Sequence, residues 1–380
     1  MTKLNVLHIP SWYPNREDEQ LGIFIQKQIK ITTSFSNNYV LYLQSTKNTR
    51  STDTKVTKQS GVTLIHVTYP QGINVFSRLR NFLNAVTTGL SKLLDFNVKI
   101  DIVHCHVAGK NLWIAQKYFK QTPLVLSEHW SGFLNGNFEK QAIWKQKLTL
   151  KRINKSNKII VVSPFLQQAL QQHNITVPIS IIDNVVEVTK IKEKKNLNAL
   201  KFLVVADLVD EVKNISGIID AFGELKKEIP NKISLTIIGD GKDKEKLEQQ
   251  VTKLQLENNI IFKGRLANNE VLETYVNYDC LVVNSYFETY SLVTAEALSV
   301  GIPVIASKCK GAEQFVIHKQ NGLLVETNNN QSLKKAMQYV VDNPQVFLPQ
   351  EIRKSIENRL NNNQIADKLK KVYADVIQNK

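Results

Sequence analysis

Apolar residues gather in short runs at 5–9, 39–43, 62–67, 102–106, 123–127, 158–162 and 179–182. Runs this short, bounded by polar clusters, predict strands buried on both faces. Between them apolar positions recur at helical spacing over 24–33, 75–94, 109–119, 138–155 and 164–173. Residues 188–200 are rich in Lys and Asn and show no period, which predicts a linker. The alternation then returns. Strands are expected at 202–206, 234–239, 260–262, 281–284, 303–306 and 323–325, and helices at 214–227, 242–254, 269–278, 332–341, 351–360 and 365–377. Strand and helix in alternation predict an α/β chain whose parallel sheets carry helices on both faces. A chain of 380 residues suits two such domains, at 1–187 and 201–360, with a helical tail at 361–380. Residues 46–60 are polar and are expected to form a mobile excursion between strands.

Composition sharpens this picture in three places. No apolar run approaches the ~18 residues that span a bilayer. The opening residues read as a first strand rather than a signal peptide. Cys105, Cys280 and Cys309 are odd in number and lie in or beside apolar runs, which suits buried thiols in a reducing cytosol. Charge is unevenly placed: residues 1–186 hold 22 Lys+Arg against 9 Asp+Glu, net +13, and the remainder holds 27 against 25, net +2. The first half therefore either has a solvated basic surface or faces something anionic, such as a bilayer or a lipid diphosphate.

The stretch 286–306 carries the most chemistry. Glu288 and Glu296 lie eight positions apart, the first in a polar loop after a strand, the second in a helix that starts near Ser291 and stops at Gly301 and Pro303. Amides at a helix N-terminus suit a diphosphate, and carboxylates suit the hydroxyls of ribose and sugars. This stretch resembles the E-x7-E segment of retaining GT-B glycosyltransferases, the large family 4 (group 1) set. Similar family segments occur in order along nearly the whole chain: Ile9-Pro10-Ser11-Trp12-Tyr13-Pro14 with Gly22-Ile23-Phe24, Ser127-Glu128-His129, Val162-Ser163, Asp183-Asn184-Val185, Lys213-Asn214, Ile238-Gly239-Asp240-Gly241, Lys263-Gly264-Arg265 and Asn321-Gly322-Leu323-Leu324-Val325.

The resemblance implies a GT-B fold, two Rossmann-like domains facing across a cleft, with the last helix returning to the first domain. It implies transfer of a hexose-type sugar, with retention and without a metal or other cofactor, from a UDP- or GDP-type donor to a glycan or lipid-linked hydroxyl. Lys213, expected in a helix's first turn, would contact the donor diphosphate. Amides of Tyr290, Ser291 and Leu292 would meet phosphate, Glu296 the ribose, and Glu288 the donor sugar. Gly22 would border the donor and His129 the reaction centre, with Glu128 either a base or a structural partner. Gly239, Gly241, Gly264 and Arg265 would lie beside the nucleotide. The chain departs from the family at Asp207, where an Arg is usual. A carboxylate facing phosphate is repulsive, so Asp207 either turns away or pairs with Lys213. Lys310 stands in a glycine-rich turn and is expected to return the missing cation; Gln314, in the same turn, receives no role.

Three further expectations concern partners. On a strand His104 and His106 face one side and Cys105 the other, so the three cannot converge on one ion and no metal is expected. On helix 138–155, Lys140, Lys147, Lys151 and Lys155 share a stripe with Trp144 and Leu148, while Ala142, Ile143, Thr149, Leu150 and Ile153 are expected to face the core. That stripe suits peripheral contact with the inner face of the cell membrane by a cytoplasmic protein, or burial with snorkelling lysines. No aromatic-interleaved basic groove marks a nucleic-acid binder. A nucleotide-sugar epimerase and a non-catalytic sugar-nucleotide-binding partner stand as alternatives.

Overall fold

The computed structural model describes residues 3–188, 190–193, 199–229 and 233–378. The chain divides into two compact units, residues 1–185 with 362–380, and residues 186–361. Part of the linker expected at 188–200 falls on residues 189 and 194–198, which lie outside the described residues.

The first unit has strands β1 (Leu4–Pro10), β2 (Ser36–Thr46), β3 (Asp53–Gln59), β4 (Val62–Pro70), β5 (Ile102–His106), β6 (Leu124–Glu128), β7 (Lys158–Val161) and β8 (Ile179–Ile181). Its helices are α1 (Ile23–Thr32), α2 (Val75–Leu94), α3 (Lys110–Tyr118), α4 (Ile143–Ile153) and α5 (Pro164–Gln172). The sheet order is β3-β4-β2-β1-β5-β6-β7-β8. Every pairing is parallel except β3 with β4. The polar stretch 46–60 is thus not an excursion: β3 pairs along its whole length with β4 as an edge strand. Its exposed charged side chains obscure the pattern in sequence and protect the edge in the fold.

The second unit has β9 (Leu200–Val205), β10 (Ile233–Ile238), β11 (Ile260–Gly264), β12 (Cys280–Val283), β13 (Val304–Ser307) and β14 (Gly322–Val325), ordered β11-β10-β9-β12-β13-β14 and parallel throughout. Its helices are α6 (Asp210–Lys213), α7 (Ile215–Glu228), α8 (Lys244–Lys253), α9 (Asn268–Thr274), α10 (Leu292–Val300), α11 (Asn330–Asp342) and α12 (Pro349–Leu360). The last helix, α13 (Asn362–Gln378), belongs to the first unit: Ile365, Leu369, Val372, Tyr373 and Val376 enter its core beside Val6, Ile102, Val125 and Ile160.

Strand order tells where ligands bind. In open α/β sheets the crevice lies outside the carboxyl ends of the strands, where the order reverses. In the first sheet the chain leaves β1 toward β2 and later resumes on its other side at β5. In the second it leaves β9 toward β10 and resumes at β12. The carboxyl ends of β9 and β12 therefore mark the second unit's ligand edge.

Candidate functional site

Two segments meet at that edge. After β9 the chain runs through Asp207 into α6, whose last residue is Lys213, and Asn214 then turns through φ 48° into α7. Lys213 thus ends a four-residue helix rather than opening a long one. The left-handed turn at Asn214 splits what sequence periodicity joins. After β12, Ser285 and Glu288 form the loop that leads to α10. Lys213 Nζ lies 2.6 Å from Glu288 Oε1, and Ser285 Oγ donates to the same oxygen at 2.9 Å. Both side chains of the ion pair are mostly shielded from solvent. Burial works to lower the Lys213 pKa, but the Glu288 carboxylate outweighs it, and the net shift is upward. Lys213 is a firmly held cation.

The loop after β13 borders this pair. The Glu288 backbone carbonyl accepts from the Gly311 amide at 3.1 Å, and the Glu288 amide donates to the Cys309 carbonyl at 3.3 Å. A Cβ on Gly311 would stand 2.6 Å from Glu288 backbone atoms, so only glycine fits. Lys310 sits beside Glu288 in left-handed backbone, φ 63°, with its side chain exposed. Asp207 does not pair with Lys213; it meets Arg265 at 3.2 Å on the exposed rim. Gly239 and Gly241 are required by chain packing, because a Cβ would strike the Ala206 and Leu208 carbonyls at 1.8 and 2.5 Å. Gly264 has φ 69° and open space where its Cβ would be.

Glu296 is buried on α10, and Tyr275 Oη donates to its Oε2 at 3.0 Å. Burial, then the adjoining carboxylate, raise the Tyr275 pKa well above its usual value, so the phenol stays a donor. Tyr275 and Ser285 escaped the sequence. The only signal was the helical stretch expected at 269–278, an apolar setting in which a buried Glu needs a donor. At the head of α10 Ser291 has φ 63° and no side chain caps the helix. Its Oγ lies 2.8 Å from Thr294 Oγ1, leaving the first amides of α10 without a side-chain cap.

In the first unit Gly22 (φ 68°) opens α1, where a Cβ would meet the Trp12 carbonyl at 2.6 Å. His129 follows β6. It is buried, its ring centroid stands 4.7 Å from that of Phe24, and neither ring nitrogen has a hydrogen-bond partner among the described residues. Glu128 resolves to a structural part. Its carboxylate accepts from the amides of Ala108, His129 and Trp130 at 2.8–2.9 Å, which fixes the loop that carries His129.

His104 and His106 are joined by His8 of β1, which sequence spacing could not show. The ligating atoms of the three lie within 4.8 Å of one another. His8 and His106 bond to each other, and His104 bonds elsewhere. His8 Nδ1 and His106 Nε2 are 3.1 Å apart, one donating to the other. His104 spends one nitrogen on Tyr373 Oη and the other on Ser127 Oγ, both at 2.8 Å. The His104 and His106 rings stack at 4.2 Å rather than converge, which fits a metal poorly.

Burial lowers the pKa of His8 to about 4 and of His129 to about 3, and holds His104 and His106 well below 6.5. All four stay neutral when folded, whereas the unfolded chain binds protons as pH falls below 6.5. Stability is therefore full above that value and lost as pH falls toward 4. Urea unfolding at pH 5.5 should show a loss of about 1 kcal/mol per buried histidine relative to pH 7; equal midpoints at equal slope would contradict this.

The helix expected at 138–155 begins only at Ile143, because Gly136 at φ 77° and the burial of Phe138 against Phe133 shape the segment before it as a turn. Its core face is smaller than expected. Ile153 alone is buried, and Ile143, assigned to the core, is exposed with Trp144 and Leu148. No helix among the described residues is long and apolar enough to cross a membrane.

Comparison with known proteins agrees with this architecture. Residues 186–367 match the family model of glycosyl transferases group 1, and residues 45–190 match that of glycosyltransferase family 4. An uncharacterized glycosyltransferase of Haemophilus influenzae is 31% identical over 137 residues, covering 36% of this chain and 38% of that protein. The first three curated relatives are matched over 38%, 62% and 50% of their own lengths. Two solved structures share the fold. Sucrose-phosphate synthase from Thermosynechococcus elongatus has TM-score 0.77 and 16% identity, with all of both chains covered. HepE from Anabaena, determined with UDP and glucose, has TM-score 0.75 and 18% identity over 98% of this chain and 99% of its own.

Proposed function

The chain belongs to the group 1 glycosyltransferases with the GT-B fold, and from that premise we propose that it moves a hexose-type sugar from a UDP- or GDP-type donor to a hydroxyl of a glycan or lipid-linked acceptor, with retention of configuration. One observation carries this: a shielded Lys213–Glu288 pair stands where the strand order of the second sheet reverses. A lysine there matches a diphosphate leaving group, and Lys213 takes the charge-neutralising part that a metal plays elsewhere. Amides at the head of α10 add hydrogen bonds to phosphate. Glu296, steered by Tyr275, takes the ribose hydroxyls. When the diphosphate binds, Lys213 shifts its contact from Glu288 to phosphate, and Glu288 is freed toward the sugar. The bond from the anomeric carbon to the diphosphate oxygen breaks, the acceptor oxygen bonds to that carbon on the same face, and the acceptor's proton passes to the departing diphosphate.

Lys310 supplements Lys213. Lys310→Ala is expected to weaken nucleoside diphosphate binding several-fold, by one exposed charge, and Lys213→Ala by far more. Titration calorimetry checks the ranking, and unchanged affinity in Lys310→Ala removes its role. The basic α4, with Trp144 and Leu148 beside Lys147 and Lys151 and with Lys140 and Lys155 flanking the helix rather than lying on its stripe, is assigned a peripheral contact at the cytoplasmic face of the membrane. The activity itself is tested by incubating the protein with nucleotide sugars and a bacterial lipid extract, and following diphosphate release and the anomeric configuration of the product by NMR. An inverted product would refute retention, and no transfer from any donor would refute the assignment.

A further inference from the structure

The first unit exposes a second apolar patch, larger than that of α4. Ile73 is 96% exposed, Phe76 85%, Val75 75% and Leu79 55%, all within seven residues at the start of α2. Val75 and Leu79 continue the stripe that carries Phe82, Val86 and Leu93 into the core, so the apolar face of α2 overruns its packing partners by one turn. That turn is held in place. Asn74 accepts from the Ser77 amide at 2.9 Å, and Ser77 Oγ accepts from the Asn74 amide at 3.1 Å. A rigid apolar turn left in water is costly unless something covers it.

Topology places both patches on one edge. α2 joins β4 to β5 and α4 joins β6 to β7, and these strands are all parallel. Each helix therefore begins at the carboxyl ends of the strands. Right-handed crossovers put α2, α3 and α4 on one face. Contacts agree: Phe82 of α2 lies 5.8 Å from Trp113 of α3 between ring centroids, and Gln116 of α3 donates to the Arg152 carbonyl of α4 at 2.8 Å. Ile143 (70% exposed) and Trp144 (65%) occupy the first turn of α4, as Val75 and Phe76 do in α2. The charge around them has one sign. Residues 41–94 hold seven Lys/Arg and one Asp, with Arg78 and Arg80 exposed beside the patch, and residues 138–155 hold six Lys/Arg and one Glu. A pocket of about 510 Å³, lined by Thr46, Lys47, Gln71, Ile73 and Asn81 among others, opens beside the α2 turn with room for polar headgroups.

We propose that residues 73–80 insert into an anionic lipid bilayer and that the exposed first turn of α4 is a second contact with the same bilayer. Apolar side chains enter the acyl boundary, and the flanking arginines pair with anionic headgroups. The surface extends the membrane setting proposed for α4 and does not depend on nucleotide binding. Its failure would leave the donor site untouched.

Vesicle flotation of the full chain tests it, with zwitterionic phosphatidylcholine vesicles and with vesicles that also carry phosphatidylglycerol. The protein should float with the anionic vesicles and much less with the zwitterionic ones. Ile73→Asn/Phe76→Asn should lower the bound fraction at least about tenfold, and Arg78→Gln/Arg80→Gln about tenfold at low salt. Both replace exposed side chains, and unchanged Tm verifies the fold. Wild-type flotation by the Ile73→Asn/Phe76→Asn variant would overturn the proposal, as would no flotation of the wild type on either vesicle. So would a lipid-free dimer, seen by sedimentation, that this variant dissociates, because the patch would then be covered by a second copy.

Discussion

Replacing Lys213 by alanine is expected to cut sugar transfer by roughly a hundred- to a thousandfold, the usual effect of losing one preorganised group that stabilises developing charge. The loss should appear in kcat as well as in donor affinity, because negative charge on the diphosphate grows as the glycosidic bond breaks. A second penalty is specific to this chain. Without the Lys213 ammonium, Glu288 keeps a carboxylate beside Ser285, at the position proposed for the diphosphate. Lys213→Ala/Glu288→Gln should therefore bind nucleoside diphosphate more tightly than Lys213→Ala does, a coupling that a double-mutant cycle measures directly. Lys213→Arg keeps the charge but not the compact ammonium, and should fall between wild type and alanine. Steady-state kinetics within about threefold of wild type in Lys213→Ala would contradict its role.

Glu296→Ala is the second large effect. It removes the proposed acceptor of the ribose hydroxyls and takes from the buried Tyr275 hydroxyl its hydrogen-bond acceptor. Hydrogen bonds to charged groups are worth about 1.5–3 kcal/mol each, so donor affinity should fall about a hundredfold. Stability should also fall, by about 1–3 kcal/mol, because a buried phenol loses its partner. Tyr275→Phe separates the two roles. It leaves the carboxylate in place without the phenol's hydrogen bond, and should weaken donor binding about tenfold with a smaller change in kcat. Equal donor affinity in Tyr275→Phe and wild type would show that the phenol only packs.

The strands were legible because parallel strands buried on both faces must be continuous apolar runs: Ile102–His106 of β5 stands out with no alternation to obscure it. The edge strand β3 was not, since its side chains are polar and its partner β4 supplies the order. The start of α4 at Ile143 is hidden for a related reason. Periodicity extends through Phe138, but the turn before Ile143 is set by Gly136 and by aromatic packing of Phe138, which spacing does not encode. In the site, residue types were legible and pairings were not. Lys213 and Glu288 are separated by 75 positions and meet because β9 and β12 are neighbours. Asp207 finds Arg265 across the end of β10, which separates β9 from β11, and His8 completes the histidine cluster across the β1–β5 pairing.

Thermal unfolding with UDP, GDP, ADP and their common sugar conjugates tests the central claim most directly. A ligand at a hundred times its Kd adds about 2.7 kcal/mol of stability, enough to raise Tm by several degrees. One diphosphate and its sugar conjugates should raise Tm selectively, and Glu296→Ala and Lys213→Ala should abolish the rise. No rise with any of them, or an undiminished rise in both variants, would contradict a donor site built on Lys213, Glu288 and Glu296.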